Sequence, residues 1–154
     1  MKHADYMKIA MELADRAAAC GDVPVGAIVV KNGEIIGRGY NQREACQSAT
    51  AHAEILAINE ACQNLNSWRL NDCTLYVTME PCPMCSGAIV LARLKTLVFG
   101  CSDSIWGGAG SVFNIAEHPN LNHKTEVIAG ICEAECKAQV QKFFQNRRQT
   151  NKDL

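Results

Sequence analysis

The sequence predicts an α/β fold in which a mixed sheet is covered by helices on both faces. Three observations carry that prediction. Apolar spacing switches between helical and strand periods to give the order α-β-β-α-β-α-β-(β)-α. An Asn32-Gly33 pair between two apolar runs marks a tight hairpin. The two segments richest in metal-binding side chains each fall where a helix begins.

The elements follow in order. Residues 4–19 place Tyr6, Ala10, Leu13 and Ala17 on one stripe, with Gly21 just past the helix end. Residues 25–30 and 34–40 are the hairpin strands. Residues 53–65 are apolar on several sides, the pattern of a buried helix. A strand at 73–78 leads to a helix over 83–94, whose Pro83 is tolerated in the first turn. A strand at 95–100 precedes the loop Trp106-Gly107-Gly108-Ala109-Gly110. A short strand at 125–129 and a long helix over 132–149 complete the chain.

At 154 residues, with 48% hydrophobic and 20% charged side chains, the chain suits a single soluble domain spanning 1–154. No apolar run approaches the roughly 20 residues that cross a bilayer, and no signal-peptide core follows the N-terminus. A cytoplasmic protein is expected. Nine cysteines, an odd number at irregular spacing, read mostly as reduced thiols among apolar neighbours. Cys132 and Cys136, four apart, read as one packed helix face. Charge is uneven: residues 1–136 carry 10 basic and 15 acidic side chains, whereas Lys137, Lys142, Arg147, Arg148 and Lys152 face only Asp153 in the final segment. A basic end of this kind is either a solvated helix or an RNA contact.

The chemistry lies in His52-Ala53-Glu54 and Pro81-Cys82-Pro83-Met84-Cys85. One imidazole and two thiolates suit zinc and leave a fourth tetrahedral position open for water, the mark of a catalytic rather than a structural site. Zinc lowers the pKa of such a water toward neutrality. Cys82 and Cys85 start a helix whose free N–H groups and dipole favour thiolates. Side chains two apart diverge in a regular helix, so His52 and Glu54 converge only if His52 has non-helical cap geometry. Glu54, off the metal, is then the general acid/base. A redox Cys-x-x-Cys pair is disfavoured by the upstream His-x-Glu, and a structural zinc clip would need His118, His123 or Cys101 as a further ligand. The combined pattern is the zinc nucleobase deaminase signature, in which activated water attacks the amino-bearing ring carbon and ammonia leaves.

Beyond those ligands, Val23-Pro24-Val25-Gly26-Ala27, Tyr40-Asn41, Thr50-Ala51, Leu75-Tyr76-Val77-Thr78, Val98-Phe99-Gly100, Asn122-His123, Phe143-Phe144 and Arg147-Arg148 resemble the bacterial tRNA-specific adenosine deaminases. That family belongs to the cytidine deaminase-like superfamily. The resemblance implies a three-layer α/β/α sandwich with a mixed five-stranded sheet, and a homodimer with one Zn²⁺ per subunit. It implies conversion of the wobble adenosine of a tRNA anticodon to inosine by attack at C6 of adenine, with an arginine tRNA anticodon stem-loop as the partner. His52, Cys82 and Cys85 fall on the zinc ligands and Glu54 on the proton shuttle. Asn41 falls on the base-binding asparagine, Asp103 on a ribose contact, and Phe144 and Arg148 on the segment lining the anticodon pocket.

Asn41 alone also reads as a turn residue, and Asp103 as a loop cap. One departure stands out: where family members commonly carry a lysine two residues after the aspartate, this chain has Ile105, followed by Trp106. Stacking by Trp106 is one replacement for the missing charge. Ile105, Trp106, Val112 and Phe113 also offer apolar surface that a second subunit could cover. Glu80 is left open, with orientation of the Cys82 turn one reading. The competing functions are a guanine or cytosine/cytidine deaminase acting on free bases or nucleosides, and a non-catalytic, zinc-stabilised RNA-binding module.

Overall fold

The computed structural model describes residues 1–152. Asp153 and Leu154, the end of the expected 1–154 domain, lie outside the described residues. The elements are α1 (His3–Ala19), β1 (Gly26–Lys31), β2 (Glu34–Tyr40), α2 (Arg43–Cys46), α3 (Ala53–Leu65), β3 (Cys73–Met79), α4 (Pro83–Leu91), β4 (Thr96–Cys101), β5 (Glu126–Ala129) and α5 (Glu133–Lys152).

The five strands form one sheet in the order β2-β1-β3-β4-β5. β1 runs antiparallel to both β2 and β3, whereas β3, β4 and β5 run parallel, so the sheet is mixed. Asn32 and Gly33 carry φ values of 51° and 78°, the doubly positive turn that an Asn-Gly hairpin requires. Strand alternation then sorts the core. Ala27, Val29, Leu75, Val77, Leu97 and Phe99 face α3 and α4. Ile28, Val30, Tyr76 and Val98 face the other way, onto α1 and the start of α5. The predicted α1 stripe of Tyr6, Ala10, Leu13 and Ala17 is buried at every position.

Three differences from the sequence expectations have physical causes. α4 stops at Leu91 instead of continuing to 94, because Arg93 turns left-handed at φ 63°. Its N–H bonds Val90 O and the Leu94 N–H bonds Ile89 O, the pairing that closes a helix end. Helix α2 was not expected; it is a single turn whose Glu44 N–H donates to the distant Asp22 carboxylate. Cys20 and Cys46 are exposed rather than core thiols, since each lies where a helix ends. Cys136, by contrast, is buried against Gly100, as a packed helix face requires.

Candidate active site

Glycine spacing in β2 sets the height of α3 over the sheet. A Cβ at Gly37 would strike the Ala57 carbonyl, and one at Gly39 the Ala53 carbonyl. With hydrogen alone at both places, α3 lies directly on the strand and its first turn sits beside Asn41, at the strand's end. His52 is the residue before that first turn, with φ −80° and ψ 150°. This extended geometry lets its imidazole share a site with Glu54, two residues on.

The second helix start supplies the sulfurs. Cys82 is the extended residue before α4 (φ −71°, ψ 173°), Pro83 opens the helix, and Cys85 lies in its first turn. His52 Nδ1 stands 3.7 Å from Cys82 Sγ and 3.6 Å from Cys85 Sγ. All three ligand atoms lie within 4.8 Å of one another. Tetrahedral zinc with bonds of about 2.0–2.3 Å needs N···S separations of about 3.5 Å, so this donor set fits the ion in spacing and in chemistry. Among the described residues, this is the one His/Cys/carboxylate grouping of its kind. His123 bonds the Leu94 carbonyl and Cys101 the Thr78 carbonyl, so neither supplies a fourth ligand.

Electrostatics in the cluster follow from crowding and burial. Hydrogen bonding with Cys85, opposed by burial and assisted by His52, brings Cys82 down to about 4. The same partnership and burial push the Cys85 thiol well above its ordinary range. His52 is raised, chiefly by its bond with Cys82. Glu54 is buried, and desolvation pushes its carboxyl up to about 7 against the pull of its own backbone N–H and of His52. A carboxyl poised near neutrality can both take and return a proton.

His52, Glu54 and Cys82 line a cavity of about 630 Å³, with Cys85 buried behind them. Asn41, Asp103 and Phe144 line it, as do Ile105 and Trp106. Asn41 is buried, with Nδ2 donating to Val23 O and Oδ1 accepting from Ala53 N. Asp103 Oδ1 caps its own loop, accepting the N–H groups of Ile105 and Trp106 at 3.0 and 3.1 Å. The loop-cap reading of Asp103 therefore describes one of its two oxygens. Arg148 is exposed on α5 and does not line the cavity.

Two groups that sequence reading left unassigned organise the walls. Glu80 is 3% exposed; it accepts the backbone N–H of Asp103, Ala109 and Ser111, and the Ser111 hydroxyl. It therefore anchors the glycine-rich loop. Asp22, 1% exposed, accepts Arg43 Nε and Nη2 and the N–H groups of Val23 and Glu44. That fixes Arg43 in the cavity wall. A buried carboxylate needs several donors, but donors remote in sequence leave no local pattern that would have revealed them.

Comparison with known proteins defines the class first. The model of the MafB19-like deaminases matches residues 1–148, and the chain belongs to this deaminase family. Among individual relatives, it is 48% identical over 147 residues to the tRNA-specific adenosine deaminase of Bacillus subtilis, covering 96% of this chain and 91% of that one. It is similar to a solved structure from work on A-to-I editing by tRNA:A34 deaminases at the wobble position of transfer RNA. That match has a TM-score of 0.84 and 36% identity, over 88% of this chain and 98% of the other. The guanine deaminase of Bacillus subtilis is also similar, with a TM-score of 0.65 and 35% identity over 82% of this chain and 83% of that one. The mixed five-stranded α/β architecture is that of the cytidine deaminase-like fold.

Proposed function

We propose that this protein hydrolytically deaminates adenosine to inosine at the wobble position of a tRNA anticodon. The observation that carries the reading is the placement of buried Glu54 beside the His52, Cys82 and Cys85 cluster, with Glu54, His52 and Cys82 lining one cavity. The likeness to the tRNA-specific adenosine deaminases supports the choice of substrate. His52, Cys82 and Cys85 would hold one zinc ion per subunit. When bound, the ion supplies Lewis acidity toward water.

The chain's own residues do the remaining work. Glu54 accepts one proton from the attacking water and passes it to a ring nitrogen of adenine. It then takes the remaining proton from the new C6 hydroxyl and delivers it to the amine, which leaves as ammonia while the carbonyl forms. Asn41, fixed by its two backbone bonds, retains one N–H and one lone pair for the purine edge. Asp103 Oδ2 is the carboxylate oxygen for a ribose 2′-hydroxyl. Phe144 offers a stacking face at the rim, while Arg148 would meet phosphate outside the cavity. Residues 1–154, with the basic C-terminal helix over about 132–149, would act as one catalytic domain.

An arginine tRNA anticodon stem-loop is the expected substrate, and a homodimer in the cytoplasm the expected form. Val112, Phe113 and Leu91 expose apolar surface that supports association. No helix among the described residues is long and apolar enough to cross a membrane. The test is a substrate panel: an adenosine-bearing anticodon stem-loop, free guanine, cytidine and adenosine, each with zinc-loaded protein. Turnover of the stem-loop alone supports the reading. Turnover of guanine instead would move the site to the free-purine class of its guanine deaminase relative.

A further inference from the structure

We propose that Trp106 is a stacking platform for a nucleobase adjacent to the target base in a single-stranded RNA loop, and so a specificity-determining residue of this site. The inference rests on the RNA-deaminase reading above and adds to it a second recognition point.

The backbone around Trp106 is tied down. Its own N–H donates to Asp103 Oδ1 at 3.1 Å, and the Gly107 N–H donates to Asp103 O at 3.0 Å. Buried Glu80 in turn holds the N–H of Asp103 at one end of the loop and those of Ala109 and Ser111 at the other. The indole carried by this fixed loop is nevertheless 62% exposed, although it borders the cavity that holds Glu54. A wide aromatic face on an anchored backbone is preorganised: ordering it on binding costs little conformational entropy.

Its neighbours indicate what it would meet. Phe144, on α5, lines the same cavity and is 41% exposed, so two elements remote in sequence each bring an aromatic ring to the one opening. Ile105 is uncharged and 74% exposed, so its side chain offers a phosphate no partner. Among the described residues, no aromatic pair or cation–π contact involves Trp106. An adenine seated over Glu54 belongs to a strand whose next base must leave the opening beside it. Aromatic stacking of such a base is tolerant of sequence and, unlike a lysine–phosphate contact, adds nothing to the salt dependence of binding.

The experiment pairs protein variants with altered RNA. Wild type, Trp106→Ala and Trp106→Phe are assayed for inosine formation on the stem-loop, and on two stem-loops abasic at the 5′ or the 3′ neighbour of the target. Trp106→Ala should lower kcat/KM by about 5- to 150-fold, mostly through KM, with Trp106→Phe recovering most of the loss. That loss should vanish on one of the two abasic substrates, and the salt slope should match the wild type. An unchanged kcat/KM, or an equal loss on all three substrates, overturns the proposal. So does sedimentation showing that Trp106→Ala dissociates a wild-type dimer, because the indole would then be covered by the second copy. A wild-type protein that makes no inosine refutes the underlying RNA-deaminase reading instead.

Discussion

The side-chain oxygen of Asn41 accepts the backbone N–H of Ala53 at 2.9 Å, across twelve residues of sequence. His52 occupies the capping position of α3 but makes no capping bond itself. Asn41 satisfies that helix end from outside, which leaves the imidazole free to face Cys82 and Cys85. The opposite end of the same amide donates to Val23 O at 3.1 Å. One buried side chain thus joins the end of β2, the α1–β1 connection and the first turn of the catalytic helix.

Replacing Asn41 with alanine leaves a buried N–H without its partner. Asn41→Ala should cost about 1–3 kcal/mol of stability, read as a shift in the urea midpoint of the zinc-loaded protein. Asn41→Asp keeps the acceptor and loses the donor to Val23, so it should fall between the two. Equal midpoints for Asn41→Ala and wild type would remove the capping role.

Asp22 gives the fold a component of acid sensitivity. Burial alone would raise its carboxyl, but the Glu44 N–H, the Arg43 guanidinium and the Val23 N–H outweigh burial and hold it below the usual range. With the native value depressed, the unfolded chain binds this proton more tightly than the native one. The contribution is therefore complete above about pH 4–5, near and above the unfolded value, and fades as pH falls through the native value. Asp22→Asn should destabilise at pH 7 and approach wild type as the pH is lowered toward 3. A constant difference at every pH would contradict this.

Glu80 anchors the loop that carries Asp103 and Trp106. In Glu80→Gln the amide NH₂ must face backbone donors, so stability should drop by about 2–3 kcal/mol. Hydrogen exchange should accelerate across residues 103–111 before it does so in the sheet. Unchanged exchange in that loop would show that other contacts hold it.

The elements read most directly from the sequence were those set by local chemistry. Asn32-Gly33 specified its turn because both residues accept positive φ, and α3 matches the expected 53–65 span because its buried face repeats at helical spacing. Parts of the site were equally legible: His52 and the two cysteines stand at helix starts, as convergence required. Other features depend on distant groups. α2 spans only four residues and draws on Asp22, 22 positions earlier, for the bond to Glu44. Glu80 reaches donors 23 to 31 residues away. Arg93 ends α4 through a left-handed conformation that its residue type does not announce.

The most direct test of the central claim is single-turnover inosine formation in an adenosine-bearing arginine tRNA anticodon stem-loop, comparing wild type with Glu54→Gln at equal, measured zinc content. Inosine at the wobble position should form with wild type, and the rate with Glu54→Gln should be about 10²- to 10⁴-fold lower at about one zinc per subunit. Equal rates from the two proteins would contradict the role of Glu54 and the mechanism built on it.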